Sequence, residues 1–122
     1  MGIDLLALIK KKMKLSDYEI EVLKLMLKNE FSNKEIDEIC KSEIRGYEFT
    51  GSGYFLQLKN KIFTVNRKVI SEPIIIGRAP NYDVGFVLFM EKKTLTIECH
   101  SWGYKNPTKN IRQERITIEI SQ

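Results

Sequence analysis

His100 is the chain's one histidine, and it stands beside Cys99, one of two cysteines. A thiol and an imidazole within hydrogen-bond reach form a nucleophile–base pair. Neighbouring residues on an extended strand point to opposite faces, so this spacing holds the two groups apart. Glu98 and His100 do share a face and could supply two metal ligands. A zinc site needs three or four, and no further histidine or cysteine cluster completes one. Gly51 and Gly53 bracket Ser52 after a strand-like run. A phosphate cradle requires a helix directly after such a loop, whereas another strand pattern follows here. These glycines therefore predict a bulge or tight turn. No catalytic residue, metal or cofactor is expected, and the chain reads as a non-enzyme.

The segment His100–Ser101–Trp102–Gly103–Tyr104–Lys105 offers a different kind of chemistry. Aromatic rings beside a cation give large contact area at small entropic cost, which suits protein recognition. His100, Trp102, Tyr104 and Lys105 are the candidate partner-binding residues. The competing reading of Trp102 is that it folds back to cap the core. Lys10, Lys11, Lys12 and Lys14 form a charge run that complements a helix C-terminus. Cys40 and Cys99 belong to no C-x-x-C pair, so two reduced thiols in a cytoplasmic protein are expected.

The elements that must position these residues change character once along the chain. Up to about Ile44 the apolar period is helical. Leu5, Leu6, Ile9 and Met13 predict a short first helix. Ser16 with Glu19, and Ser32 with Glu35, carry the capping-box spacing and open two more helices. Ile20, Leu23 and Leu27 share one face of the second helix; Tyr18, Val22, Leu25 and Met26 share another. Ile36, Ile39 and Cys40 form the buried stripe of the third, and Asn29 lies between the two. From Tyr47 onward the period is two. Tyr54 to Lys59 reads as a strand, with Ile62 to Val65 extending it or starting the next. Val69 to Ile76 is β-branched, but Pro73 predicts an edge or a break there. Val84 to Met90 and Thr94 to Cys99 form the clearest hairpin, its first arm apolar on both faces and therefore central. Ile111 to Ile120 predicts a last strand.

The expected architecture is one α+β domain over residues 1–122, helical over 3–44 and sheet over 45–120. About three helices cover one face of an antiparallel sheet of about four to six strands. A 122-residue chain can bury a core of this size without disulfide staples. No run approaches the roughly 18 apolar residues of a membrane span. The formal charge of +4 is spread among alternating acids and bases, where a nucleic-acid binder concentrates it.

Leu15 to Cys40 resembles the opening of the response-regulator type of helix-turn-helix, on Leu15, Ser16, Glu19, Glu21, Val22, Leu23, Leu25, Ser32, Asn33, Lys34, Glu35 and Ile36. The base-reading helix that should follow is replaced by the glycine-rich, strand-like Gly46 to Gly51. Three other blocks carry a broader likeness: Leu15–Ser16 with Glu19, Val22 and Leu23; Glu48–Phe49–Thr50–Gly51–Ser52–Gly53–Tyr54–Phe55; and Val84–Gly85–Phe86–Val87–Leu88–Phe89 with Leu95, Ile97 and Glu98. On these blocks the chain from Leu15 to Tyr104 resembles a family of small uncharacterised bacterial α+β proteins. The resemblance implies the fold and no catalytic residue. By style and size it also suggests an immunity-protein-like role, in which a toxin domain is the partner. The basic charge departs from the acidic character usual in nuclease inhibitors. The alternatives are nucleic-acid binding through the basic helices, and a small-ligand site or enzyme using Glu48, Tyr54, Glu98 and His100. A homodimer built by extending the sheet through an exposed edge, the last strand above all, is a further expectation.

Overall fold

The computed structural model describes residues 13–121. The helix expected from Leu5 to Met13 lies outside them apart from Met13, which precedes the first described helix in irregular chain.

Helix α1 spans Asp17–Leu27 and helix α2 spans Asn33–Cys40. Both start where the capping spacing places them. The Ser16 N–H donates to Glu19 Oε1 at 2.8 Å, and the Ser32 N–H donates to Glu35 Oε1 at 2.9 Å. The Glu35 N–H returns a bond to Ser32 Oγ at 3.1 Å. Each such cap satisfies backbone donors that the first helical turn would otherwise leave open. α1 buries Tyr18, Glu19, Val22, Leu23, Met26 and Leu27, while Glu21 and Lys24 stay in solvent. Five of these six are apolar or aromatic; Glu19 is the exception.

Seven strands follow: β1 Glu43–Phe49, β2 Gly53–Lys59, β3 Arg67–Ile70, β4 Ile75–Arg78, β5 Asp83–Glu91, β6 Thr94–Ser101 and β7 Thr117–Ile120. All pairings are antiparallel, in the order β1-β2-β6-β5-β4-β7, with β3 also on β5. The Tyr47–Phe55 stretch is thus the β1–β2 hairpin, with no base-reading helix in it.

Three expectations need correction. Among the described residues there are two helices, and the strands number seven, above the expected four to six. The extra strand comes from the Val69–Ile76 run, which breaks around Pro73 into β3 and β4. Both then pair with β5, β3 at Ile70↔Leu88 and β4 at Ile76↔Gly85. Proline has no ladder donor, so one nine-residue partner is served by two short strands. Next, Ile62–Val65 is not a strand. Phe63 is buried there as a loop residue, with its carbonyl accepting from the Lys93 N–H at 2.7 Å. Last, the expected strand from Ile111 opens as a 3-10 turn, Ile111–Gln113, and only Thr117–Ile120 forms a strand. Ile111 is fully buried, and the turn swings Arg112 towards α1.

The core lies between the helices and one sheet face. Tyr54, Leu56 and Leu58 on β2, Leu95, Ile97 and Cys99 on β6, and Phe86, Leu88 and Met90 on β5 all point into it. Burying each such aliphatic side chain contributes roughly 1.5–3 kcal/mol. The strand alternation turns Phe55, Val69, Val87, Phe89, Glu98 and His100 to the opposite face. No described helix covers that face, and Phe55 and Val69 are exposed. Four residues of β5 face in, Val84, Phe86, Leu88 and Met90, and Val87 and Phe89 on the outer row are apolar too, in keeping with its central position.

Candidate functional site

Two arrangements carry polar or aromatic chemistry. The first is buried. Glu19 is fully inaccessible to solvent. Its Oε1 accepts from the Ser16 N–H at 2.8 Å and from Arg112 Nη2 at 2.8 Å. Its Oε2 accepts from Arg112 Nε at 2.8 Å and from the Tyr54 hydroxyl at 2.6 Å. Tyr18 and Tyr54 share a hydroxyl–hydroxyl bond of 2.7 Å. Because the Tyr54 proton goes to Glu19, Tyr18 is the donor in that pair. Arg112 also donates from Nη2 to the Lys14 carbonyl at 2.7 Å, and its guanidinium carbon stands 5.6 Å from the centre of the Tyr47 ring.

Glu19 thereby does two jobs: it caps α1 and it pins the helix to β2 and to the 3-10 turn. The fork of Arg112 matches the carboxylate bidentately, the strongest geometry for such a pair. Both carboxylate oxygens are occupied by two donors each, so the group holds the fold and has no open position for a substrate. Nothing in the local sequence marked it. The capping spacing named Glu19 only as a partner of Ser16, and its other partners stand 35 and 93 residues away.

The phenols around this carboxylate are held protonated. Burial, then the neighbouring Glu19 charge, pushes both Tyr18 and Tyr54 well above the usual phenol range. Burial pushes Tyr82 up to about 12. In the unfolded chain a tyrosine ionises near pH 10. Folded pKa values above unfolded ones mean that the folded state keeps protons the unfolded state has lost. Stability is then fully present below about pH 10 and falls as pH rises beyond it. Thermal unfolding followed by circular dichroism should show a steady loss of Tm from about pH 10 upward. Tyrosinate absorbance of Tyr18 and Tyr54 should appear only with unfolding. A Tm that stays flat to pH 11.5 would contradict this reading.

The second arrangement is on the surface, and it contains all four expected binding residues. β6 ends at Ser101, and the Trp102 N–H donates to the Asp83 carbonyl at 2.9 Å, holding the loop start against β5. Ser101 Oγ donates to the Lys105 carbonyl at 2.9 Å, which closes the loop into a hook. His100 lies between two glycines in register, Gly53 on β2 and Gly85 on β5. A Cβ on Gly85 would fall 2.7 Å from His100 Nε2 and 2.8 Å from Trp102 Cε3. The missing side chain is what lets both rings lie on the sheet, their centres 6.1 Å apart. Trp102 remains 43% exposed, so it covers Gly85 on the outer face and does not cap the core. Tyr104 is as exposed as in an extended peptide. A groove of about 540 Å³ runs between the Ala79–Asp83 turn and the Trp102–Lys105 hook, with Pro80 and Tyr82 on its far side.

Strand alternation decides where the other candidate groups lie. Cys99 faces the core and His100 the outer face, as strand alternation requires. Both cysteines are free, and burial raises both thiols above their ordinary value. Glu98 Oε1 lies 4.0 Å from His100 Nδ1. Among the described residues no group of three or more His, Cys, Asp or Glu could hold a metal ion. The quartet Glu48, Tyr54, Glu98 and His100 does not converge on a pocket. Tyr54 is fully buried on the helix side, whereas Glu48 and Glu98 belong to the outer row in register with Phe55. No described helix is long and apolar enough to cross a membrane.

No family model matches this chain, and neither the curated proteins nor the solved structures contain a match to it.

Proposed function

We propose that this chain is a non-enzymatic protein-binding module that docks through the Trp102–Lys105 hook, in the manner of a bacterial immunity or antitoxin protein occluding a toxin domain. The observation that supports it is Tyr104. A wholly solvent-exposed aromatic ring stands beside a half-exposed Trp102, on a loop braced at both ends by hydrogen bonds. Large aromatics on a preformed surface serve as anchors, because little entropy is lost when they are buried. Lys105 beside them supplies charge for an acidic partner surface, and His100 widens the aromatic platform.

The test is co-expression with the product of a neighbouring toxin-like gene. The native chain should restore growth. The Trp102→Ala/Tyr104→Ala variant should fail to do so while keeping its native circular dichroism spectrum and Tm. Removal of two central aromatic anchors costs about 2 kcal/mol or more each, so measured affinity for the toxin should fall by at least about 100-fold. Rescue by the double variant equal to that of the native chain would rule the hook out.

A further inference from the structure

Three strands, β1, β3 and β7, have one side that no other described strand pairs. A free row of N–H and C=O groups invites another strand unless charge, a bulge or proline blunts it. β1 is blunted by the irregularity between Ile44 and Gly46 and by Glu43, Arg45 and Glu48. β3 carries the exposed cation Arg67, and its Lys68 is paired with Glu30 at 2.7 Å. β7, Thr117–Ile120, has no such guard. Its one charge, Glu119, is tied down by Arg78 at 2.8 Å. Its last residue, Ile120, is 41% exposed, and Ile74 at the adjoining start of β4 is 46% exposed.

We propose that β7 is a self-association edge: two copies of this chain pair antiparallel through it and continue the sheet. The ladder fixes the register. The Ser121 N–H donates to the Ile74 carbonyl at 2.8 Å, so Thr117, Glu119 and Ser121 turn their backbone groups towards β4. By alternation Ile118 and Ile120 turn theirs to the free side. A two-fold axis through Ile118 then makes Ile118 a hydrogen-bonded pair with its counterpart. It also sets Ile120 opposite Ile116 and Thr117 opposite Glu119. Directly opposed side chains share a face, so isoleucine meets isoleucine on the helix side. Moving the axis to Glu119 would instead oppose two like charges. The edge is four residues long and buries far less than a standard interface of about 1,200–2,000 Å². Association is therefore concentration-dependent, with a dissociation constant on the order of tens of micromolar.

Sedimentation equilibrium of the full chain from about 1 to about 500 µM tests this. The weight-average mass should climb from one chain towards two. Ile120→Lys places a charge on the edge at an exposed position, and Ile118→Pro removes the central donor. Each should weaken association by at least about 100-fold, with Ile120→Lys keeping the native Tm. In a hydrogen-bonded antiparallel pair the Cα atoms stand about 5.5 Å apart, within disulfide range. Ile118→Cys should therefore give a covalent dimer on mild oxidation, and the native chain should not. The Trp102→Ala/Tyr104→Ala variant should dimerise normally, which separates this edge from the hook. A mass that stays at one chain throughout, a dimer that survives Ile120→Lys, or a dimer lost in the aromatic variant would each overturn the proposal.

Discussion

Arg112→Met is expected to destabilise the fold by about 3–5 kcal/mol in urea or guanidinium unfolding. Glu19 is fully buried, and the Arg112 side chain is only 12% exposed. Removing the guanidinium takes away two of the four donors on the carboxylate and leaves a buried charge uncompensated. Glu19→Leu leaves the converse, a mostly buried guanidinium with the Lys14 carbonyl as its remaining hydrogen-bond acceptor. It also takes the acceptor from the Ser16 N–H and the Tyr54 hydroxyl. Its cost should be of the same order. The double replacement removes both charges together, and an apolar pair of similar volume can be close to neutral. A double-mutant cycle should therefore show the double variant more stable than the sum of the singles by at least about 2 kcal/mol. Strict additivity, or a loss under about 1 kcal/mol for Arg112→Met, would mean that the network does not clamp α1 to the sheet.

Gly53→Ala should cost about 3 kcal/mol, at the upper end of what overpacking produces. A Cβ there would lie 1.8 Å from the Cys99 carbonyl oxygen and 2.9 Å from the His100 Cα, both backbone atoms that cannot rotate away. Relief requires β2 and β6 to part where Ser101 donates its N–H to the Ser52 carbonyl at 2.7 Å. That contact positions the root of the aromatic hook, so the same variant should lose partner binding beyond its loss of stability. Two nearby glycines serve as controls. Gly51, in the β1–β2 turn at φ +91°, has open space around its Cβ position. Alanine there meets only the left-handed backbone penalty, about 1 kcal/mol. Gly46 has open space and no such φ, so its alanine variant should change stability by less than about 0.5 kcal/mol. Equal costs at all three positions would refute the close-approach argument.

The helices were legible because their signals are local. Ser16 with Glu19 and Ser32 with Glu35 are caps whose partners lie three residues apart. The β5–β6 hairpin was legible for the same reason: its strands adjoin in sequence and alternate cleanly, ending at Glu91↔Thr94. The aromatic hook could be named, since a loop after a strand places its rings near a sheet end. Its geometry could not. The ledge on which His100 and Trp102 lie exists because Gly85, on another strand, lacks a side chain. On sequence alone Arg112 falls in a strand, but the period-two run of Ile116, Ile118 and Ile120 extends back to Ile111 only by assuming that the strand continues. The quartet of Glu48, Tyr54, Glu98 and His100 failed for a related reason. Strand alternation sets Tyr54 on the face opposite Phe55, and Glu48 and Glu98 stand in register with Phe55.

Hydrophobic periodicity by itself determined that helices precede an antiparallel sheet, that the change comes in the mid-forties, and that β5 sits at the sheet's centre. Each follows from side-chain direction, which repeats about every 3.6 residues in a helix and every two in a strand. Only the tertiary structure decided that Glu19 is a buried clamp, that β3 and β4 share one partner, and that the face bearing Phe55, Val69 and His100 is left uncovered by the described helices. Burial and ion pairing depend on what arrives from 35 or 93 residues away, and no local pattern of residues encodes that arrival.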